Sequence, residues 1–160
     1  MAHLFQFGVS PSAMPSWYKE GFADSFGGRG TFTWDGKKLV IGAPLERDDI
    51  EPLRDERSFI PLADLLNSDA HEIMKADKKK AEHFYAESWA LVRFLRSGAK
   101  EVTRSAFERW ETMCLGAALG AEANRQSKTT ATEAATLFDQ VVGKDLVSLE
   151  LEFRAFLLKL

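Results

Sequence analysis

This sequence of 160 residues has only one cysteine and no excess of basic charge. A single cysteine, Cys114, excludes an intrachain disulfide, and its apolar neighbours Trp110 and Leu115 predict a buried thiol rather than a nucleophile. Lysine and arginine number 21 against 24 aspartates and glutamates, which gives a net charge of −3. Because nucleic-acid binding proteins usually carry a basic field, we expect no nucleic-acid partner.

Long apolar runs are also absent. No stretch approaches the roughly 20 apolar residues that span a bilayer, and the first residues lack the basic and apolar segments of an export signal. We therefore expect a soluble chain without a membrane span, although a longer parent protein could be exported. With 45% hydrophobic residues, the chain is long enough for one domain over residues 1–160.

What is present is mostly helical periodicity, interrupted by one strand-like segment. TFTWDGKKLVI places β-prone residues on both sides of Asp35-Gly36, a pair that favours a tight turn, and so predicts a β-hairpin near 31–41. Residues 42–59 are predicted to be irregular, and 68–82 to form a solvated loop or a helix start. The predicted fold is mainly α with one β-hairpin. Its helices are a tail ending at Gly8, then 15–26, 61–66, 81–96, 102–117, 130–143 and a last one capped by Asp145.

Two carboxylates, Glu20 and Asp24, lie four residues apart in the helix predicted after Pro15 and therefore share one of its faces. Like charges at this spacing repel by a few tenths of a kcal/mol, and a cation between them would reverse the sign. Zinc is such a cation, since imidazole and carboxylate groups are its usual ligands and a further carboxylate often orients a ligating histidine. Taken alone, the same pair is more typical of a solvated helix face.

Three segments of the sequence, PSWYKEGFADSF, FYAESWALVRFL and LFDQVVGKDLVSLELEFRAFL, resemble the gluzincin zinc metallopeptidases, in particular a bacterial peptidase-MA-like group of largely unknown function. The resemblance extends over nearly the whole chain. It implies the helical C-terminal part of a thermolysin-like catalytic domain, which would ordinarily pack against an N-terminal sheet. It also implies peptide-bond hydrolysis by a zinc-activated water in the intact parent, with a peptide or protein as substrate.

The resemblance also implies roles for particular residues. In gluzincins one helix carries His-Glu-x-x-His, and a following helix supplies a glutamate ligand, often within Glu-x-x-x-Asp. EGFAD matches the second element, so Glu20 and His3 correspond to zinc ligands and Asp24 to the acceptor that orients the first histidine. Tyr85 corresponds more weakly to a donor toward the oxyanion, with His83 as an alternative. Tyr85 also has a plain interpretation as a core aromatic, and His83 as a polar residue of a charged segment.

The first zinc histidine and the catalytic glutamate have no counterpart here, because they would fall just before Met1. We therefore expect a truncated active site, arising from a late start assignment, a chosen fragment or a natural loss. Zinc hydrolases need three protein ligands and a general base, so the chain as given is expected to bind no zinc and to hydrolyse no peptide. The alternative is a noncatalytic helical interaction module, whose exposed apolar surface is covered by a partner or by a homo-oligomer.

Overall fold

The computed structural model describes residues 14–25, 32–34, 36–37, 39–41, 50–124 and 131–160, and these residues are mainly helical, which confirms the predicted α class. The α-helices are α1 (Ser16–Asp24), α2 (Leu62–Asn67), α3 (Ala70–Ala76), α4 (Lys78–Arg93), α5 (Glu101–Asn124), α6 (Ala131–Val141) and α7 (Leu146–Leu157). A π-helical turn at Phe94–Gly98 continues α4, and 3₁₀ turns occupy Glu51–Arg54, Glu56–Ser58 and Gly143–Asp145.

Two short strands, β1 (Phe32–Trp34) and β2 (Leu39–Ile41), pair in antiparallel register. Phe32 lies opposite Ile41, and Trp34 opposite Leu39. Between the strands, Gly36 has φ of +96°, a left-handed conformation that a residue without a Cβ adopts readily. Asp35, the predicted partner of Gly36 in the turn, lies outside the described residues, as do the helix tail before Gly8, the glycine pair at 27–28 and Thr130.

Helix α1 begins where the sequence predicts, with Pro15 in the capping position, and packs against α4 at a point of backbone contact. A Cβ added to Gly21 would lie 2.2 Å from the carbonyl oxygen of Ser88 and 3.0 Å from the backbone nitrogen of Trp89. Such distances are well below van der Waals contact. Glycine at position 21 therefore permits the close approach of the two helices.

An aromatic cluster joins α1, α5 and α6. The rings of Trp17 and Trp110 stack with centroids 5.8 Å apart, and Phe138 meets both rings edge-on at 5.2 and 5.3 Å. The indole N–H of Trp110 donates a hydrogen bond of 2.9 Å to the carbonyl oxygen of Ala134. Because a buried indole N–H needs an acceptor, this bond fixes α6 against α5 as well as satisfying the ring.

The buried face of α5 includes Phe107, Trp110 and Cys114, whereas the apolar residues Val102 and Met113 are 72% and 49% exposed. At 3.6 residues per turn, these two positions lie roughly a quarter to a third of a turn from the centre of the face formed by Phe107, Trp110 and Cys114. The apolar stripe of α5 is therefore narrower than the sequence periodicity indicates.

Of the two interpretations of 68–82, the helix start agrees with the structure and the solvated loop does not, because α3 and the first turn of α4 occupy most of this segment. The Asp69 carboxylate accepts hydrogen bonds from the N–H groups of His71 and Glu72, and the Asp77 carboxylate accepts from that of Lys80. These two aspartates start helices whose exposed sides carry charge, so apolar periodicity gave no signal for them. By contrast, the predicted cap at Asp145 is confirmed, since its carboxylate accepts from the N–H of Ser148 at 3.1 Å.

No helix within the described ranges combines the length and apolarity needed to cross a membrane.

Candidate functional site

Three of the residues that the resemblance assigns to a peptidase site come together where α1 packs on α4. Glu20 is half-buried and Asp24 is exposed on α1, while Tyr85 lies partly buried on α4. Burial raises the pKa of the Tyr85 phenol, and the negative charges of Glu20 and then Asp24 raise this pKa further. Both carboxylates therefore act electrostatically on the same hydroxyl group.

The position of this group follows from the contact at Gly21. Glu20 precedes Gly21, whose close approach to Ser88 and Trp89 sets the distance between the two helices. Tyr85 lies one turn before Trp89 on α4, and its ring meets that of Phe84 edge-on at 5.8 Å. Sequence reasoning treated Gly21 only as a spacer within EGFAD. Its structural role could have been suspected, because glycine is unfavourable inside a helix unless packing requires it.

Of the two zinc ligands that the resemblance assigns, only Glu20 lies among the described residues. His3 lies outside the described residues, so its convergence with Glu20 stays a prediction. Within the described residues, no group of three or more histidine, cysteine, aspartate or glutamate side chains is arranged to hold a metal ion. Glu20 and Asp24 offer carboxylate oxygens, but a zinc site needs three protein ligands. The described residues alone therefore do not make a complete zinc site.

His83 lies on the opposite side of α4 from Tyr85. Two residues of separation correspond to more than half a turn, so the two side chains cannot serve the same position. His83 is only 5% exposed, and its Nδ1 atom has no hydrogen-bond partner among the described residues. The interpretation of His83 as a plain polar residue of a charged segment is therefore wrong. It also does not share the surface of Glu20 and Asp24 that the role of alternative oxyanion donor would require.

A second polar cluster, which sequence reasoning missed, is built around the fully buried Glu87. Its Oε1 atom accepts from the backbone N–H of Ile60 at 2.9 Å, and its Oε2 atom accepts from Nη1 of Arg154 at 3.2 Å. Arg154 Nη2 also donates to the carbonyl oxygen of Ile60 and, at 3.0 Å, to Oε1 of Glu150. The same Glu150 oxygen accepts from the N–H of Leu62 at 3.2 Å. The cluster thus ties residues 60–62 to α4 and α7.

Burial dominates the electrostatics of this cluster. It raises the pKa of Glu87 to about 7, against the opposing effects of the Ile60 N–H and the Arg154 guanidinium. Because both Glu87 oxygens are engaged within the protein, the arrangement is suited to holding the segment in place rather than to transferring protons to a ligand. In the sequence, the feature that could have indicated this cluster is a glutamate, Glu87, that stands among the apolar residues of the segment AESWALV.

Cys114 is buried as predicted, with 1% of its surface exposed. Burial, with a smaller contribution from the charge of Glu111, raises the pKa of the thiol to about 11. Since the thiolate is the nucleophilic form, this cysteine is inert near neutral pH.

Comparison of the chain with protein-family models, with curated proteins and with solved structures gave no match.

Proposed function

We propose that this chain is part of a gluzincin-like zinc metallopeptidase, or a degenerate relative of one, and that it contributes the glutamate side of the metal site. The observation that supports this proposal is the grouping of Glu20, Asp24 and Tyr85 at the contact between α1 and α4. These residues were singled out by their position in EGFAD and FYAESWALVRFL, two segments about 60 residues apart. A chance resemblance gives no reason for Tyr85 to lie within electrostatic range of both carboxylates.

In this function, Glu20 would ligate zinc and Asp24 would accept the second N–H of a ligating histidine. Zinc, when bound, activates a water molecule for attack on a peptide carbonyl. A tyrosine hydroxyl is protonated near neutral pH, and the upward shift of the Tyr85 pKa acts in the same direction, so the hydroxyl is available as a hydrogen-bond donor to a developing oxyanion.

The sequence contains no His-Glu-x-x-His. It therefore lacks a full ligand set and a glutamate base, and the chain alone should carry well under one equivalent of zinc and hydrolyse no peptide. Metal analysis of the purified chain, together with a peptidase assay in the presence and absence of a chelator, tests this expectation. Stoichiometric zinc with chelator-sensitive hydrolysis would contradict it.

A gain-of-binding experiment tests the assigned roles directly. Placing His-Glu before Met1, with enough upstream helix to hold it, supplies the third ligand, and zinc should then bind tightly. Glu20→Gln in the extended protein should largely abolish binding, while Asp24→Asn should weaken it by roughly 10–100-fold. Glu108→Gln, which removes an exposed carboxylate from α5, is the matched control and should leave zinc binding unchanged. If the Glu20→Gln variant binds as much zinc as the extended protein that retains Glu20, then Glu20 is only a surface carboxylate.

The second candidate function is a noncatalytic interaction module, and the exposed face of α7 favours it. Val147 and Leu151 on α7, and Leu158 just after its end, are 73%, 67% and 62% exposed and recur at helical spacing. Single exposed apolar residues are ordinary, but a row of them on one helix is typical of a surface that contacts another protein. Analytical ultracentrifugation of the chain and of its Leu151→Lys variant tests self-association, which only the original chain should show.

A further inference from the structure

Residues 51–60, which we call the strap, lie against α4 and lead into α2. The strap consists of two 3₁₀ turns that are joined at Asp55. The Asp55 carboxylate accepts from the N–H of Arg57 at 3.2 Å and from the hydroxyl of Ser58 at 2.8 Å, so it holds the second turn together. Because these bonds lie within the strap, they persist when the strap moves as a unit.

Few apolar side chains attach the strap to the rest of the molecule. Leu53 and Ile60 are buried, while the other side chains of the strap are exposed or partly exposed. At its end, a cleft of about 310 Å³ lies between Phe59 and Ile60 on one side and Lys79 and His83 of α4 on the other. Segments with few buried apolar contacts open more readily than the core of a domain.

Two charged side chains, Arg154 of α7 and Glu87 of α4, form a latch that holds the end of the strap. The Arg154 guanidinium lies 4.9 Å from the centre of the Phe59 ring and donates to the carbonyl oxygen of Ile60. The Glu87 carboxylate accepts from Arg154 at 3.2 Å and from the N–H of Ile60 at 2.9 Å. Both backbone polar groups of Ile60 are thus bonded to the latch, and opening of the strap must break these bonds.

The ionisation of Glu87 affects the latch, because its carboxyl group is fully buried in the closed structure. Burial raises the pKa of Glu87 to about 7, while the Ile60 N–H of the strap and Arg154 of α7 lower it and the charge of Glu150 of α7 raises it. On α4 itself, His83 lies one turn before Glu87. Opening of the strap hydrates the carboxyl group, and an ionised carboxylate gains more from hydration than a protonated one. Ionisation of Glu87 therefore favours the open strap.

We propose that the strap opens as a unit from α4 and α7 while the helices stay folded, and that the latch of Glu87 and Arg154 loosens as the pH rises toward neutrality. Opening uncovers the side of α4 that carries His83 and Glu87. The movement ends at Pro61, which occupies the capping position of α2. This pH-dependent device lies on the side of α4 away from Tyr85, and it does not depend on the proposed peptidase function.

Amide hydrogen exchange of the full chain, measured by NMR and expressed as protection factors, tests the proposal. The Ile60 N–H reports opening of the strap, because its acceptor is the Glu87 carboxylate, and the N–H groups of Ala90 and Leu91 in α4 report unfolding of the whole domain. Ile60 should be protected, but less than Ala90 and Leu91, and its protection factor should fall by about tenfold between pH 6 and pH 8. Equal protection of the three amides, no protection at Ile60, or an Ile60 value that is independent of pH would overturn the proposal.

Variants of the two latch residues make the test specific. Glu87→Gln keeps an acceptor for the Ile60 N–H but does not ionise, so the protection of Ile60 should be the same at pH 6 and pH 8. Arg154→Met removes the guanidinium and should lower the protection of Ile60 at pH 6 by about tenfold or more. Arg104→Met is the matched control, because its guanidinium pairs with Glu101 in the same helix, and it should have little effect. A pH dependence retained in Glu87→Gln, or equal losses of protection in the two arginine variants, would refute the latch.

Discussion

Gly21 and Glu87 are two residues whose immediate surroundings limit which side chain can occupy the position. At Gly21 the constraint is steric, since the backbone of α4 occupies the space of a Cβ atom. At Glu87 it is electrostatic, since a carboxyl group with no exposed surface depends on two hydrogen-bond donors of the protein. Glu87 lies on α4, and Gly21 lies on α1, the helix that packs against α4.

Gly21→Ala should destabilise the protein, although alanine is the better helix former by about 1 kcal/mol. The added methyl would lie 2.2 Å from the Ser88 carbonyl oxygen, so α1 must move away from α4. We expect the free energy of unfolding in urea to fall by about 1–3 kcal/mol or more. Gly143→Ala is the matched control, because its Cβ would make only an ordinary contact of 3.5 Å and should change stability little. Equal stability of the two variants would refute the steric argument.

Glu87 should make stability depend on pH between about 4.5 and 7. Its pKa is raised to about 7 in the folded protein from an ordinary 4.5, so the folded state holds the proton more tightly than the unfolded state. The stabilisation is therefore fully present below pH 4.5 and is lost as the pH rises through 7, with a total of up to about 3 kcal/mol.

Glu87→Gln isolates this effect, because the amide oxygen still accepts from the Ile60 N–H but does not titrate. Denaturation curves from pH 5 to pH 8 should show a fall in unfolding free energy for the original protein that is absent in the variant. Glu101→Gln, an exposed carboxylate at the start of α5, should keep the original pH dependence. Parallel pH profiles for the original protein and Glu87→Gln would contradict the raised pKa.

At the scale of elements, short polar contacts determine where helices begin and how they are joined. Asp69, Asp77 and Asp145 each accept a backbone N–H in the first turn of a helix. The hydroxyl of Tyr18 on α1 donates to Glu111 on α5 at 2.6 Å, and Arg96 donates to the same oxygen at 2.7 Å. These contacts explain helix starts and helix pairs that apolar periodicity does not specify.

Asp69→Ala should lower the free energy of unfolding by about 1 kcal/mol, because the N–H groups of His71 and Glu72 lose their acceptor. Asp69→Asn should retain most of the stability, since asparagine caps helices about as well as aspartate. Urea denaturation of the two variants distinguishes capping from a charge effect. A loss in Asp69→Asn as large as that in Asp69→Ala would indicate charge rather than capping.

Trp110→Phe should loosen the contact between α5 and α6. The smaller ring leaves the Ala134 carbonyl oxygen without its donor and removes part of the stack on Trp17. We expect a loss of about 2–4 kcal/mol in unfolding free energy, from the lost hydrogen bond and the cavity together. Trp89→Phe, at a half-buried position on α4, should cost less. Hydrogen exchange would add to the test, because the amides of α6 should exchange faster in Trp110→Phe.

At the scale of the whole molecule, α1, α4, α5, α6 and α7 contribute to one continuous set of buried apolar side chains. Trp17 and Trp110 lie inside it and report on it by fluorescence. Unfolding in urea should therefore be cooperative, with tryptophan fluorescence and far-UV circular dichroism giving the same midpoint. A fluorescence change that clearly precedes the loss of helix would show instead that the aromatic cluster unfolds separately.

The sequence by itself determined the helical class, the helix starts at Pro15 and Pro61, the cap at Asp145 and the burial of Cys114. These features depend on local chemistry, namely the fixed φ of proline, a carboxylate beside free N–H groups and the spacing of apolar residues. The pairing of Glu20 with Asp24 is equally local, because four residues make one turn. The convergence of His3 with Glu20 stays a prediction.

Only the tertiary structure decided which residues meet from distant parts of the chain. Glu20 and Asp24 act on Tyr85 because Gly21 lets α1 approach α4, and the pKa of Glu87 is raised because the fold buries its carboxyl group, against the lowering effects of Ile60 and Arg154. His83, which the sequence placed among charged residues, is only 5% exposed in the fold. Periodicity predicts which face of a helix is buried. It does not specify which residues cover that face. Those covering residues determine how deeply a titratable group is buried and which partners it has, and these two factors set its pKa.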